Sequence, residues 1–256
     1  MAKGDIVRRV PAILLSAAIL LAGCGREPAA GDEAVINIAF QSWVGYGLFY
    51  LASEKGFDKE EGFRLNIVDE ELDSARQEAF KMNMLDCEAA TLDLLIEKAS
   101  QGMSLAAVMK IDESAGSDSP RPPGAHVPAS TKEYPGIIID TLNVRQDLID
   151  GRPDLVKKLM RCWFRALSYY RENPAEASQI ISKYYGISPE EYRRQAEGLR
   201  WISYAGQSSG GNGNGFIETA GIIIDAKIIS GRIKERPDTQ LLVDFKLLEN
   251  LYEDSK

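Results

Sequence analysis

Short apolar runs separated by polar turns and helical stretches set the rhythm of this chain from residue 35 onward. VINIAF (35–40) predicts a strand, and QSWVGYG (41–47) a glycine-containing turn that opens a helix through about Lys55. Residues 65–68 predict a second strand, and 73–84 a helix with Ser74 as its cap. Residues 87–90 are short and small, Thr91-Leu92-Asp93 starts another helix, and LAAVMKI (105–111) is a further strand. Strand, helix, strand, helix, short strand, helix, strand is the order of a parallel sheet covered by helices.

The rhythm then breaks. Residues 117–134 (SDSPRPPGAHVPASTKEY) hold four of the 11 prolines and have no apolar period, which predicts a connector that protease cuts first. GIIIDTLNV (136–144) resumes as a buried strand, expected in one sheet with 35–40, 65–68 and 105–111. Residues 153–171 carry the clearest helical pattern: Pro153 suits a first turn, and Leu155, Leu159, Cys162, Trp163, Ala166 and Tyr170 share one face. That helix is expected to pack on the sheet. Residues 174–185 predict the next helix, and Ser188-Pro189-Glu190-Glu191 is a capping box that starts a third. GQSSGGNGNG (206–215) reads as a loop, and 216–230 and 238–252 as the last helices.

The N-terminus has a different character. Lys3, Arg8 and Arg9 precede an almost purely apolar run over 11–22, which closes on Leu21-Ala22-Gly23-Cys24. A basic start, a short apolar run and a small-residue exit form a secretory signal, too short to span a bilayer comfortably. Leu-Ala-Gly-Cys resembles the bacterial lipobox, and the resemblance implies lipidation of Cys24; the alternative is an ordinary signal that happens to end near a cysteine. Removing 1–23 leaves 27 bases against 37 acids, a net charge of −10. That sign argues against nucleic-acid partners and against a basic grip on anionic lipid.

Candidate chemistry is sparse. Cys87 and Cys162 can pair in an oxidising compartment or remain buried thiols. The one histidine, His126, lies in the Pro-rich segment, which excludes His-dominated metal sites and leaves either thiol without a base. No nucleophile elbow or phosphate loop occurs, so neither an enzyme nor a cofactor is expected.

Six segments in order resemble the periplasmic substrate-binding proteins of ABC importers, in the nitrate/sulfonate/taurine and thiamine-precursor-like superfamily. They are QSWVGYGLFYLASEKGF (41–57), DCEAATLDLLIEKASQG (86–102), KIDESAGSD (110–118), YPGIIIDTLNVRQDL (134–148), LVKKLMRCWFRALSYYRENPAEA (155–177) and GNGFIETAGIIID (213–225). The resemblance implies an α/β fold of the type II periplasmic-binding-protein kind, whose lobes close over a small solute. In that family the chain crosses into a second lobe after the segment matching 110–118 and returns at 134–148. Here 16 residues intervene, far short of the ~100 of a lobe. The expected organisation is therefore a signal peptide (1–23), a tether (24–33), and essentially one lobe with a parallel-rich sheet and C-terminal helices (34–118 and 135–256). Residues 119–134 would be the remnant of lobe two.

The turn 41–47 is the best site candidate, because helix N-termini present unpaired N–H groups. Gly45, Tyr46 and Gly47 would hold an anionic group, with Trp43, Tyr46 and Tyr50 as walls and Gln41 in the same cluster; Trp43 and Tyr50 can equally be core. Thr91 and Asp93 form a second helix start, and Asp112, Glu113, Ser114 and Gly116 follow a strand end, where open α/β sheets gather ligand groups. Asp140 interrupts an Ile-rich strand, and a buried acid needs a partner. With one wall missing, the cluster should be unusually exposed. The implied protein is an exported, lipid-anchored solute-binding component that delivers a small polar solute to ABC permease subunits. The alternatives are a degenerate lipoprotein domain that binds no solute and a pyrimidine-precursor enzyme.

Overall fold

The computed structural model describes residues 33–115, 136–207 and 214–252. Cys24, Gly116, His126, the Pro-rich segment and most of the glycine-rich loop lie outside them. Along the first half, β1 (Ala34–Phe40) leads through a 3-10 turn (Val44–Tyr46) into α1 (Gly47–Glu54) and α2 (Phe57–Glu60). Then follow β2 (Phe63–Asp69), α3 (Asp73–Lys81), β3 (Cys87–Thr91), α4 (Leu92–Ser100) and β4 (Leu105–Ser114). After the gap come β5 (Ile139–Arg145), α5 (Gln146–Gly151), α6 (Pro153–Glu172), α7 (Pro174–Tyr185), α8 (Pro189–Ala196), β6 (Leu199–Trp201) and α9 (Tyr204–Gln207). The last helices are α10 (Asn214–Ile229) and α11 (Lys246–Glu249).

All six strands form one sheet in the order β2-β1-β3-β5-β4-β6. β1 pairs in parallel with β2 and β3, whereas β5 runs antiparallel to both β3 and β4, and β6 antiparallel to β4. Four strands therefore point one way, and the interposed β5 is the returning strand. The sheet carries a core on each face. Ile36, Ile38 and Phe40 of β1 face α1 and α6, while Ala39 faces the cluster built on α4 and α10, as the two-residue alternation of a strand requires. Trp163, fully buried, packs at a tilt on Phe49 with ring centroids 4.6 Å apart and ties α6 to α1.

The expected helix at 174–185 is found at those bounds, and Ser188 caps α8 by accepting the Glu191 N–H at 3.1 Å. Three expectations need correction. The strand expected at 136–144 begins at Ile139, after Gly136 in the left-handed region (φ 80°), and ends at Arg145. Ser74 does not cap α3, which starts at Asp73 behind Leu72 without a side-chain cap. Residues 238–252 are not one helix, because the edge of β4 captures Leu242–Asp244: Ala107 N–H donates to Leu242 O (2.8 Å), and Asp244 N–H to Ala107 O (2.9 Å).

Further along the same edge, the side-chain amide of Gln207 behaves like a strand peptide. Its Oε1 accepts Lys110 N–H (2.9 Å) and its Nε2 donates to Lys110 O (2.7 Å). β6 then pairs with 112–114. Cys87 and Cys162 are both buried and free, and burial pushes both thiols up.

Beneath α4 lies a buried ionic cluster. Lys98 Nζ sits 2.6 Å from both oxygens of Glu88 and 2.8 Å from Asp73, and Arg76 closes the group beside Glu88 at 3.5 Å. Two cations thus face two carboxylates, which is what lets these charges be buried.

A candidate solute site at the strand ends

Because β1, β3 and β4 run the same way, their C-terminal ends meet at one edge of the sheet, joined by the start of β5. The register aligns Thr91, Asp140, Asp112 and Trp201 in a row across β3, β5, β4 and β6. The turn 41–47 lies against this row. An added Cβ on Gly45 would overlap Asp112 Oδ2 and stand 2.7 Å from Trp43 Nε1. One on Gly47 would overlap Ile181 and stand 2.8 Å from Tyr192 Oη. The turn is thus pressed between the strand ends and the C-terminal helices, and a Cβ at either position would force a neighbouring side chain to shift.

Three consecutive carbonyls of the turn are held from the C-terminal side. Tyr185 Oη donates to Trp43 O (2.7 Å), Tyr192 Oη to Val44 O (3.1 Å) and Trp201 Nε1 to Gly45 O (3.0 Å). Sequence reasoning missed all three donors, because hydrogen bonds spanning more than 140 residues leave no local signal. On the other flank, Glu71 accepts the Ser42 N–H at 2.7 Å. The turn is preorganised by partners on both sides.

At the centre stand two carboxyl groups. Asp112 and Asp140 face one another across adjacent strands, both buried, and the Tyr46 hydroxyl donates to Asp140. Burial, and then the charge of Asp140, hold the Asp112 carboxyl well above the usual range. Burial also pushes Asp140 up, to about 6, while the hydrogen bond from Tyr46 opposes the rise. Asp140 is therefore the member that ionises more readily as pH rises, and Asp112 the more reluctant one. Burial and the Asp140 charge keep Tyr46 a phenol. No protein donor reaches either oxygen of Asp112, and the buried Trp43 Nε1 also lacks an acceptor.

The sequence-predicted residues divide into two groups. Gly45, Tyr46, Gly47, Asp112 and Ser114 are buried, whereas Gln41, Trp43, Thr91 and Asp93 are half-buried, so the centre is not the exposed cluster expected from a missing wall. The reason is the packing of the turn just described. Asp93 is already occupied, accepting from the Thr91 hydroxyl and from Lys227 of α10 at 3.1 Å. Glu113 pairs with Arg200 of β6. Tyr50 belongs to the core side, stacked at 4.1 Å on Tyr184. Among the described residues, no three His, Cys, Asp or Glu side chains converge to hold a metal ion.

No protein-family model matches the sequence, and a search of curated proteins finds no match. Solved structures do match. The periplasmic nitrate-binding protein NrtA of Synechocystis aligns at TM-score 0.64 and 10% identity over 87% of this chain and 89% of its own. A putative periplasmic sulfonate-binding protein SsuA from Methylobacillus flagellatus aligns at 0.61 and 12% over 88% and 96%. A DszB mutant in complex with biphenyl-2-sulfinic acid also aligns, at 0.58 and 10% over 87% and 100%. At such identities the likeness concerns architecture: this chain has the periplasmic-binding-protein fold.

Proposed function

We propose that this protein is the solute-binding component of an ABC-type import system and captures a small polar solute at the strand-end edge. The observation that carries the reading is the preorganised turn 41–47, set over the ends of β1, β3 and β4 in a fold shared with nitrate- and sulfonate-binding proteins. Gln41, Trp43, Gly45, Tyr46 and Gly47 are the assigned solute contacts, together with Thr91, Asp93, Asp112, Ser114 and Gly116. Residues 34–118 and 135–256 form lobe one, with 119–134 in place of lobe two. In support, β4 and β5 are adjacent and antiparallel, so the chain leaves and re-enters the sheet at one point. The protein is exported and held by lipid on Cys24, and it serves ABC permease subunits without catalysing a reaction. Among the described residues no helix is long and apolar enough to cross a membrane.

Thermal shift of the full-length protein in detergent tests this function, because a ligand that binds only the folded form stabilises it. Nitrate, methanesulfonate, taurine and an aminopyrimidine are the first panel, and one small solute should raise the melting temperature. A flat response to every solute would favour a second reading, a non-transporting lipoprotein domain. The burial of Tyr46 and Asp112 is what supports that second reading. Replacing Cys24 by Ser should abolish incorporation of labelled fatty acid; continued labelling would place the anchor elsewhere.

A further inference from the structure

Two consecutive residues of the turn rest on two carboxyl groups. Asp112 Oδ2 lies against Gly45, where an added Cβ would overlap it, and the Tyr46 hydroxyl donates to Asp140. Asp112 and Asp140 are register partners on β4 and β5, and they are 0% and 2% exposed. With the turn seated, both are closed off from solvent. Two carboxyl groups so close and so dry cannot both carry charge unless a cation offsets them.

Among the described residues, no lysine or arginine supplies that offset. On β4, Glu113 is paired with Arg200, and Lys110 lies beside both. On α4, Asp93 is held by Lys227, and on β3 Glu88 is held by Lys98 and Arg76. Glu71, beyond β2, accepts the Ser42 N–H. From α7 and α8 the Tyr185 and Tyr192 phenols feel the charge of Asp112, and burial pushes both well up, so they stay neutral. The further charges that act on the pair, from Glu113 and Asp93, are negative.

We infer that the turn 41–47 is a proton-operated latch. It seats on the strand ends while Asp112 and Asp140 hold at least one proton between them, and it lifts as the last proton leaves, letting water reach both carboxylates. The inference concerns the seating of the turn and stands whether or not a solute binds there. Burial holds Asp112 well above the usual range and pushes Asp140 only to about 6, so Asp112 keeps the last proton. An acid whose seated pKa lies above its ordinary 3.8 stabilises the seated form fully below that value. That contribution is lost as pH rises through the seated pKa. The three bonds to the carbonyls of 43–45 come from neutral donors and oppose lifting equally throughout. The carboxyl pair therefore supplies the pH dependence.

Trp201 provides the reporter, because its indole N–H donates to Gly45 O only while the turn is seated. Exchange of that proton with solvent would be followed by NMR on the full-length protein in detergent, each rate divided by that of N-acetyltryptophanamide at the same pH. Between pH 6 and 8 one proton remains to be lost on lifting, so the corrected rate should rise about tenfold per pH unit. The indole of Trp163, in the core, should exchange more slowly at every pH. Asp112→Asn removes the titrating proton and should flatten the dependence. A flat corrected rate in the parent, or a Trp201 indole no faster than that of Trp163, would overturn the latch without any variant. So would an undiminished slope in Asp112→Asn, which would place the proton elsewhere. The expected slope together with a silent solute panel would support the latch while overturning the solute-binding function.

Discussion

Replacing Tyr46 by Phe removes one oxygen from the centre of the site and nothing else. That hydroxyl donates to Asp140, and both side chains are buried. A hydrogen bond to a charged partner contributes about 1.5–3 kcal/mol, against about 0.5–1.5 kcal/mol for a neutral one. Which value applies depends on pH, because Asp140 is pushed up to about 6. An acid whose folded pKa lies above its ordinary value of 3.8 contributes stability that is complete below about pH 4 and is lost as pH rises through about 6. The difference amounts to about 3 kcal/mol, and the Tyr46 hydroxyl offsets part of that loss by holding the ionised form. Tyr46→Phe should therefore cost about 1.5–3 kcal/mol at pH 8 and about half as much at pH 5. Urea unfolding at the two pH values measures this as a shift in midpoint at constant slope. An equal cost at both, or a larger one at pH 5, would refute the assignment of Asp140 as the more readily ionised member of the pair.

Three further outcomes follow from packing and charge. Gly47→Ala should destabilise by about 1–3 kcal/mol in the same assay, since its Cβ would overlap Ile181 and crowd Tyr192; a neutral result would mean that the turn can move away. Lys98→Met should cost about 3–5 kcal/mol, because it leaves buried Glu88 with Arg76 alone, and the double variant with Glu88→Gln should recover much of that loss. Ser188→Ala should lower stability by about 1 kcal/mol through the lost cap of α8; an unchanged midpoint would show that the cap contributes nothing.

Much of the fold was legible because local pattern and tertiary role agree. Pro153 and one apolar face define α6, and Pro174 and Ser188 mark helix starts that the chain uses. Asp140 stood out as an acid within isoleucines, and its partners are Tyr46 and Asp112. What failed was non-local. The leucines of 241–251 have helical spacing, yet pairing with β4 at Ala107 draws Leu242–Asp244 out of a helix. β6 is three residues long and exists because 112–114 needed a partner, which no local pattern announces. The aromatic donors to the turn come from α7, α8 and β6, and no local pattern in the sequence links them to it.

The outer edge of β4 is covered piecemeal, by Leu242–Asp244 at one point, by β6 at another and by a single side chain between them. An uncovered strand edge is a template on which any other extended chain can pair. Segments of backbone cannot be lost in one mutational step, but the amide of Gln207 can, and a substitution there would leave Lys110 N–H and C=O pointing outward together. Such a variant could keep its melting temperature and still seed self-association under concentrated conditions. Solubility in this protein thus depends at one place on a side chain standing in for a strand.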